Sequence, residues 1–254
     1  MTPQVFLASG LDPSGGAGFL ADAAVCRMLG TRPVGVLTGA TVQDTNGVRR
    51  VESVDLELLE EQVLALLSDV EIKAAKIGML CHPEVARSLG KGLDLTSAPV
   101  VWDPVNKPSQ GPASLYSGDV KEALNLLSRH ITVITPNLVE LGLLAGRAVP
   151  ETSAGEAAKA LSERYGVSVL VTGVREGGQV LDWVCSNGVL EAIKGDWIEG
   201  GERIHGSGCA LSAAVAANLA MGTTVVDSCR SAVEFIRERI PNATKPGRGA
   251  FAIV

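Results

Sequence analysis

The stretch Ile204-His205-Gly206-Ser207-Gly208-Cys209-Ala210-Leu211-Ser212-Ala213-Ala214 places two glycines around a serine and follows them at once with small and aliphatic residues. It reads as a tight loop feeding a buried helix. The first N–H groups of a helix have no partner inside it, and the macrodipole adds partial positive charge there, so such a junction suits an anion. Cys209 falls in the first turn, where the thiolate is favoured over the thiol. A Gly-rich turn packed under a helix accounts for the same letters, because glycine punctuates loop-to-helix turns generally.

Upstream of the loop, Val180 to Cys185 and Val189 to Ile193 are β-prone pieces separated by Asn187-Gly188, a strong hairpin signal, so an antiparallel edge precedes it. Further upstream, short apolar runs predict strands at Val5 to Ser9, Pro33 to Thr38, Ala74 to Gly78, Val100 to Trp102, Ile131 to Ile134 and Ser168 to Thr172. Between them lie helical patterns at Phe19 to Leu29, 54–68, Pro83 to Gly90, 117–128, Leu138 to Ala145 and 153–165. Gln43-Asp44-Thr45-Asn46-Gly47 reads as a polar loop. Downstream come the buried helix Cys209 to Met221, an amphipathic helix at 224–239 and a loop tail from Pro241. Strands alternating with helices imply a mostly parallel sheet covered on both faces. No repeat or low-complexity linker interrupts it, so 1–254 is expected to be a single domain.

Of the 254 residues, 46% are hydrophobic and 20% charged, which describes a folded globular chain. A net charge of -6 argues against nucleic acid as a partner, which calls for a basic face. The N-terminus MTPQVFLASG lacks the basic segment and long apolar run of a signal peptide, and no run approaches a membrane span. Five cysteines without a C-x-x-C pair suggest free thiols and a cytoplasmic protein.

Ligands of an open parallel sheet bind beyond the carboxyl ends of its strands. Standing there are Gly10 with Asp12, Thr38 with Gln43, Gly78 with Met79, Asp103, Asn137 with Glu140, and Thr172. Acids and amides of this kind serve a metal and a polar substrate. Asn137 with Glu140 also fits a capping box, and Asp103-Pro104 a strand end with a turn. No Walker loop, no dinucleotide fingerprint and no zinc pattern is present. His82, His130 and His205 are scattered and read as solvated or capping residues.

The segments GLDPSGGAGFLAD (Gly10 to Asp22), VQDTNGV (Val42 to Val48), KIGML (Lys76 to Leu80), DPV (Asp103 to Val105), TPNLVE (Thr135 to Glu140) and HGSGCALSAAVAANLAMG (His205 to Gly222) resemble hydroxymethylpyrimidine/phosphomethylpyrimidine kinases of thiamine biosynthesis. The resemblance implies a ribokinase-like three-layer α/β/α fold with a mostly parallel central sheet and a short antiparallel edge. It further implies phosphorylation, with ATP and Mg2+, of 4-amino-5-hydroxymethyl-2-methylpyrimidine and then of its monophosphate, by a cytoplasmic homodimer whose partners are small molecules and neither nucleic acid nor membrane.

Carried onto this sequence, the resemblance makes the amides of Gly206, Ser207, Gly208 and Cys209 a cradle for the migrating phosphoryl group. Cys209 stands where most ribokinase-like relatives place an aspartate base, as a base itself or as a pocket lining. Asp103, Asn137 and Glu140 become the magnesium and phosphate side, directly or through water. Gln43 becomes the ring-reading amide, with Gly10, Ala17, Asp22, Met79 and Val105 as further pocket positions. Met79 equally fits core filling, and Asp22 a helix-surface charge. Thr172 and Arg175 fall to the nucleotide, Arg175 standing in for a lysine expected near Val171-Thr172-Gly173. Asn106-Lys107-Pro108-Ser109-Gln110-Gly111, Asp44 and the Gly-rich end depart from the family pattern. The alternatives are a pyridoxal or pyridoxine kinase on the same fold, an ADP-dependent dehydratase of hydrated nicotinamide cofactors, which should carry aspartate at position 209, and a non-catalytic ligand-binding relative.

Overall fold

The computed structural model describes residues 1–108 and 110–254; Ser109, in the departing segment after Val105, lies outside the described residues. The chain runs β1 (Gln4–Leu11), α1 (Gly18–Met28), β2 (Arg32–Asp44), β3 (Gly47–Ser53), α2 (Leu56–Asp69), β4 (Ala74–Ile77), α3 (Pro83–Leu93) and β5 (Val100–Trp102). It continues with α4 (Val120–Leu127), β6 (Ile131–Ile134), α5 (Leu138–Ala145), α6 (Ala154–Tyr165), β7 (Ser168–Glu176), β8 (Gln179–Ser186) and β9 (Val189–Asp196). The last elements are β10 (Ile204–His205), α7 (Ser207–Ala220), α8 (Val225–Arg239) and β11 (Phe251–Ala252).

One sheet carries the order β3-β2-β1-β4-β5-β6-β7-β8-β9, parallel from β2 through β7. Side chains alternate across it, as a pleat requires. Val5, Leu7, Ala74, Val101 and Leu170 pack under α1, α7 and α8, while Phe6, Ala8, Ala75, Ile77, Val100, Trp102 and Val169 pack under α2 to α6. The result is the expected three-layer arrangement. Helix α7 is buried from Ala210 through Ala220, which only small and aliphatic side chains permit between a sheet and two neighbouring helices.

The antiparallel part is larger than expected. Besides β8 and β9 at one end, β3 pairs antiparallel with β2 at the other. The stretch read as a polar loop at residues 43–47 is the tip of this hairpin, with the amide of Asn46 bonded to Asp44 Oδ1 at 2.8 Å. Only Val48 is fully buried between Ala40 and Ser53, so both strands are polar and lack the apolar alternation by which a strand is recognised. The tail also holds a short strand, β11, parallel to β10.

Candidate active site

The carboxyl ends of β1, β4, β5, β6 and β7, the hairpin β2–β3 and the start of α7 enclose one cavity of about 460 Å³. Gly206 caps α7 at φ +79, and a Cβ there would stand 1.9 Å from the Gly16 carbonyl oxygen, so only glycine lets the loop after β1 pass beneath it. The first helical bond runs from Ala210 N to Gly206 O at 2.9 Å, leaving the amides of Ser207, Gly208 and Cys209 ahead of it. A Cβ on Gly208 would meet nothing within 4 Å, so the backbone there is open to a ligand. Helix α1 begins at Gly18 on the same cavity wall. Neither α1 nor α7 has a side-chain cap or an acid in its first turn, whereas Asp55, Asp119, Asn137 and Thr224 cap α2, α4, α5 and α8. Two uncapped N-termini therefore border one space, a setting for negative charge.

Lys76 stands beside them. It shares the face of β4 with Ala74, has 0% side-chain exposure, and its Nζ lies 2.6 Å from Asp22 Oδ2 and 3.2 Å from Ser9 Oγ. Burial opposes its charge, but the Asp22 carboxylate, with Cys209 and Asp103 close by, outweighs burial and raises the ammonium above the usual lysine value. Asp22 itself does not line the cavity. It is neither a surface charge nor a pocket wall but the buried partner that holds Lys76, with Ser9 Oγ donating to the same oxygen at 2.5 Å.

Asp103 ends β5 at 4% exposure, and its carboxyl is pushed up by burial against the pull of Lys76. Glu140 is pushed up to about 8 by burial and by Asp103. Asn137 and Glu140 form the complete capping box, each side chain bonded to the other's amide at 2.9 Å, and both also line the cavity. Two buried carboxylates that repel each other are what a divalent cation relieves. Among the described residues no group of three or more His, Cys, Asp or Glu converges. The pair Asp103 and Glu140 suits Mg2+, which is bound through one or two carboxylates plus phosphates and water rather than by an all-protein cage.

The low thiol pKa expected at Cys209 is not found. Burial pushes it up to about 12, Asp103 and Asp22 add to the rise, and Lys76 with the Gly18 backbone does not offset them. The position at a helix start is as expected, but burial, with the nearby carboxylates adding to it, reverses its effect on the thiol.

Gln43, Met79, Val105, Ala17, Gly10, Val48 and Leu115 also line the cavity. The register shifts between Val42 and Gln43, as bulges beside sites do, re-aiming the side chain. Met79 packs into the space left by Gly10, where a Cβ would sit 2.3 Å from its Cε. Thr172 lines the cavity, its amide bonded to Pro136 O at 3.2 Å. Arg175 does not join it. Strand β7 continues past Gly173 as the partner of β8, which carries Arg175 to the surface with its guanidinium 3.6 Å from the Trp197 ring centroid.

Sequence reasoning passed over Lys76, Lys107 and the site role of His205, all of which border the cavity. A lysine inside Ala74-Ala75-Lys76-Ile77-Gly78 is itself a signal, since lysine is fully buried almost only when paired. His205 has 15% side-chain exposure and its Nε2 lies 2.8 Å from Asp12 Oδ2, a pairing across 193 residues that no local pattern announces.

A three-layer sheet whose carboxyl edge gathers an uncapped glycine-rich helix start, a buried lysine and two acids defines a ribokinase-like phosphotransferase. Within that class the chain belongs to the phosphomethylpyrimidine kinase family, whose model matches residues 12–253. A hydroxymethylpyrimidine/phosphomethylpyrimidine kinase of Rhizobium meliloti (strain 1021) is 34% identical over 256 residues, covering 98% of this chain and 96% of the relative. Among solved structures, the ADP complex of Bacillus subtilis pyridoxal kinase superposes with a TM-score of 0.87 at 27% identity, covering 99% of this chain and 96% of that one. The phosphomethylpyrimidine kinase of Clostridium difficile 630 gives 0.76 at 26% identity, covering 94% of this chain and 99% of its own. Among the described residues, no helix is long and apolar enough to cross a membrane.

Proposed function

We propose that this kinase transfers the γ-phosphoryl group of ATP to the hydroxymethyl group of 4-amino-5-hydroxymethyl-2-methylpyrimidine, and then phosphorylates the monophosphate, in thiamine biosynthesis. The observation that carries this reading is the shared cavity, which brings an anion cradle and a buried cation together with an amide, Gln43, and an apolar floor. Phosphoryl transfer needs positioning and charge neutralisation more than covalent help. The amides of Ser207, Gly208 and Cys209 and the ammonium of Lys76 face the group in flight. Asp103 would hold Mg2+, with Glu140 and Asn137 reaching it through water; the ion supplies charge neutralisation on the phosphates. Cys209 contributes its amide and a neutral thiol wall. Met79 packs on the ring, whose polar edge Gln43 reads. On the family resemblance, the working unit is a single-domain chain, 1–254, paired as a homodimer in the cytoplasm.

ATP consumption by the purified protein, measured with the aminopyrimidine, its monophosphate and pyridoxal side by side, tests this. Turnover of the first two is expected. Turnover of pyridoxal alone would overturn the substrate, and none with any of them would leave a ligand-binding relative.

A further inference from the structure

We infer that His205, held by Asp12, is a positioning residue that fixes which way the Gln43 amide faces and thereby directs the substrate's hydroxymethyl group to the anion cradle. This rests on the reading of Gln43 as the ring-recognising amide.

A side-chain amide can stand two ways, and its hydrogen bonds decide between them. In one orientation Gln43 Nε2 is 2.9 Å from His205 Nε2 and Oε1 is 3.1 Å from Thr41 Oγ1; in the other the two atoms exchange places. The first fails in every protonation state of the ring. If His205 Nε2 carries a proton, it meets the Gln43 N–H group. If it carries none, its lone pair faces Asp12 Oδ2 at 2.8 Å with no proton between them, because Asp12 is ionised. Burial tends to raise that carboxyl, but the bonds from His205 and from the side chain and amide of Ser14 hold it below the usual value.

The second orientation satisfies Gln43, Thr41 and Asp12 together. His205 Nε2–H donates to Asp12 Oδ2 and faces Gln43 Oε1. Gln43 Nε2 donates to Thr41 Oγ1, whose own hydroxyl donates to Leu11 O at 2.9 Å. One Oε1 lone pair and one Nε2–H remain for the cavity, with the oxygen on the side of His205 and the anion cradle.

Along the edge of the aminopyrimidine the order is ring nitrogen, amine, hydroxymethyl. With Nε2–H donating to the ring nitrogen and Oε1 accepting from the amine, the hydroxymethyl group lies beyond the His205 side, next to Gly206. The reversed amide would send it away from the cradle. The fold supports both members of the pair through one segment: Ala250 N and Gly249 N bond to O and Oγ1 of Thr45 at the hairpin tip at 2.8 and 3.0 Å, and β11 pairs with β10, which contains His205.

The tests separate this inference from the proposed function. Long-range 15N correlation spectra of the imidazoles in the unmodified protein should show His205 protonated at Nε2; an unprotonated Nε2 overturns the inference whatever the substrate. In kinetics, the 4-oxo analogue, with donor and acceptor reversed, is rejected by the wild-type chain. His205→Phe should lower the preference for the amine over the oxo compound by about tenfold or more, since the free amide turns to suit either. KM for ATP should stay within about twofold of wild type, because neither side chain is among the groups proposed to hold the nucleotide. His205→Gln, which keeps an N–H donor, should restore part of the preference. A preference unchanged in His205→Phe would overturn the inference even with normal turnover, and an inactive wild-type chain would sink the function while leaving the spectroscopic result to stand.

Discussion

At the phosphoryl end of the cavity most working groups come from helix starts and strand ends set by their own neighbours in sequence, with Lys76 and its distant partner Asp22 the exception, whereas the ring end is assembled from segments far apart. Ser207, Gly208 and Cys209 are the first turn of α7, Asp103 follows β5, and Asn137 with Glu140 is a local capping box. Gln43, by contrast, depends on His205 across 162 residues, and the hairpin tip depends on Gly249 across 204. The first end buries charge that must stay paired. The second end holds the Gln43 amide on a half-exposed hairpin, with the Asp12 carboxylate satisfied by His205 and Ser14. The two should therefore fail differently: damage at the phosphoryl end costs stability as well as turnover, and damage at the ring end costs recognition with the fold intact.

The largest effect should come from Lys76→Met, which leaves Asp22 as an uncompensated charge with 0% side-chain exposure. Breaking a buried pair by removing one partner costs about 3–5 kcal/mol, so the urea midpoint should fall steeply and turnover should be lost. Replacing both members, Lys76→Met with Asp22→Leu, should recover most of the stability and none of the activity. Gln43→Ala in the same denaturation series should lie within about 0.5 kcal/mol of wild type. If Gln43→Ala destabilised the chain as much as Lys76→Met, the contrast between the two ends would be broken.

The same contrast explains how much could be read from the letters. The parallel sheet, the strand ends carrying Asp103, Asn137 and Thr172, and the glycine-rich start of α7 follow from local patterns, namely apolar runs, caps and turn residues, and the structure places them together. The far part of the hairpin β2–β3 is hidden because the face of Ala40 to Ser53 that turns inward carries Thr41, Gln43 and Thr45, so polarity masks the strands. Asp22 looked like a pocket or surface charge because a sequence does not show that Lys76 comes up beneath it from a strand 54 residues later. The expected depression of the Cys209 thiol failed for a related reason. The helix start is local, but the burial that opposes it, and the carboxylates of Asp103 and Asp22 that add to it, come from other elements.

Cys209 sharpens the comparison at intermediate size. With its thiol at about 12 it holds its proton at neutral pH, so its side chain is a wall and its amide does the binding. Cys209→Ala keeps the amide, and kcat should fall by less than about tenfold, some 1.4 kcal/mol in barrier. A loss of about a hundredfold or more would return the side chain to the role of proton acceptor and would mean that bound substrate and metal reverse the electrostatics described above.

The smallest effect concerns a residue that sequence reasoning placed at the phosphoryl end and the structure does not. If Arg175 supplied the cation missing near Thr172, Arg175→Ala would weaken phosphorylation of the monophosphate, where two phosphates must be held, more than that of the unphosphorylated pyrimidine. Its guanidinium instead stacks on Trp197 at the surface, a contact worth about 0.5–1 kcal/mol when exposed. Both steps should therefore change by less than about twofold, with only a slight loss of stability. A loss confined to the second step would mean that Arg175 leaves Trp197 for the cavity when nucleotide binds. In that event the phosphoryl end would draw a second working group, after Lys76, from outside its local frame, and the division between the two ends would have to be redrawn there.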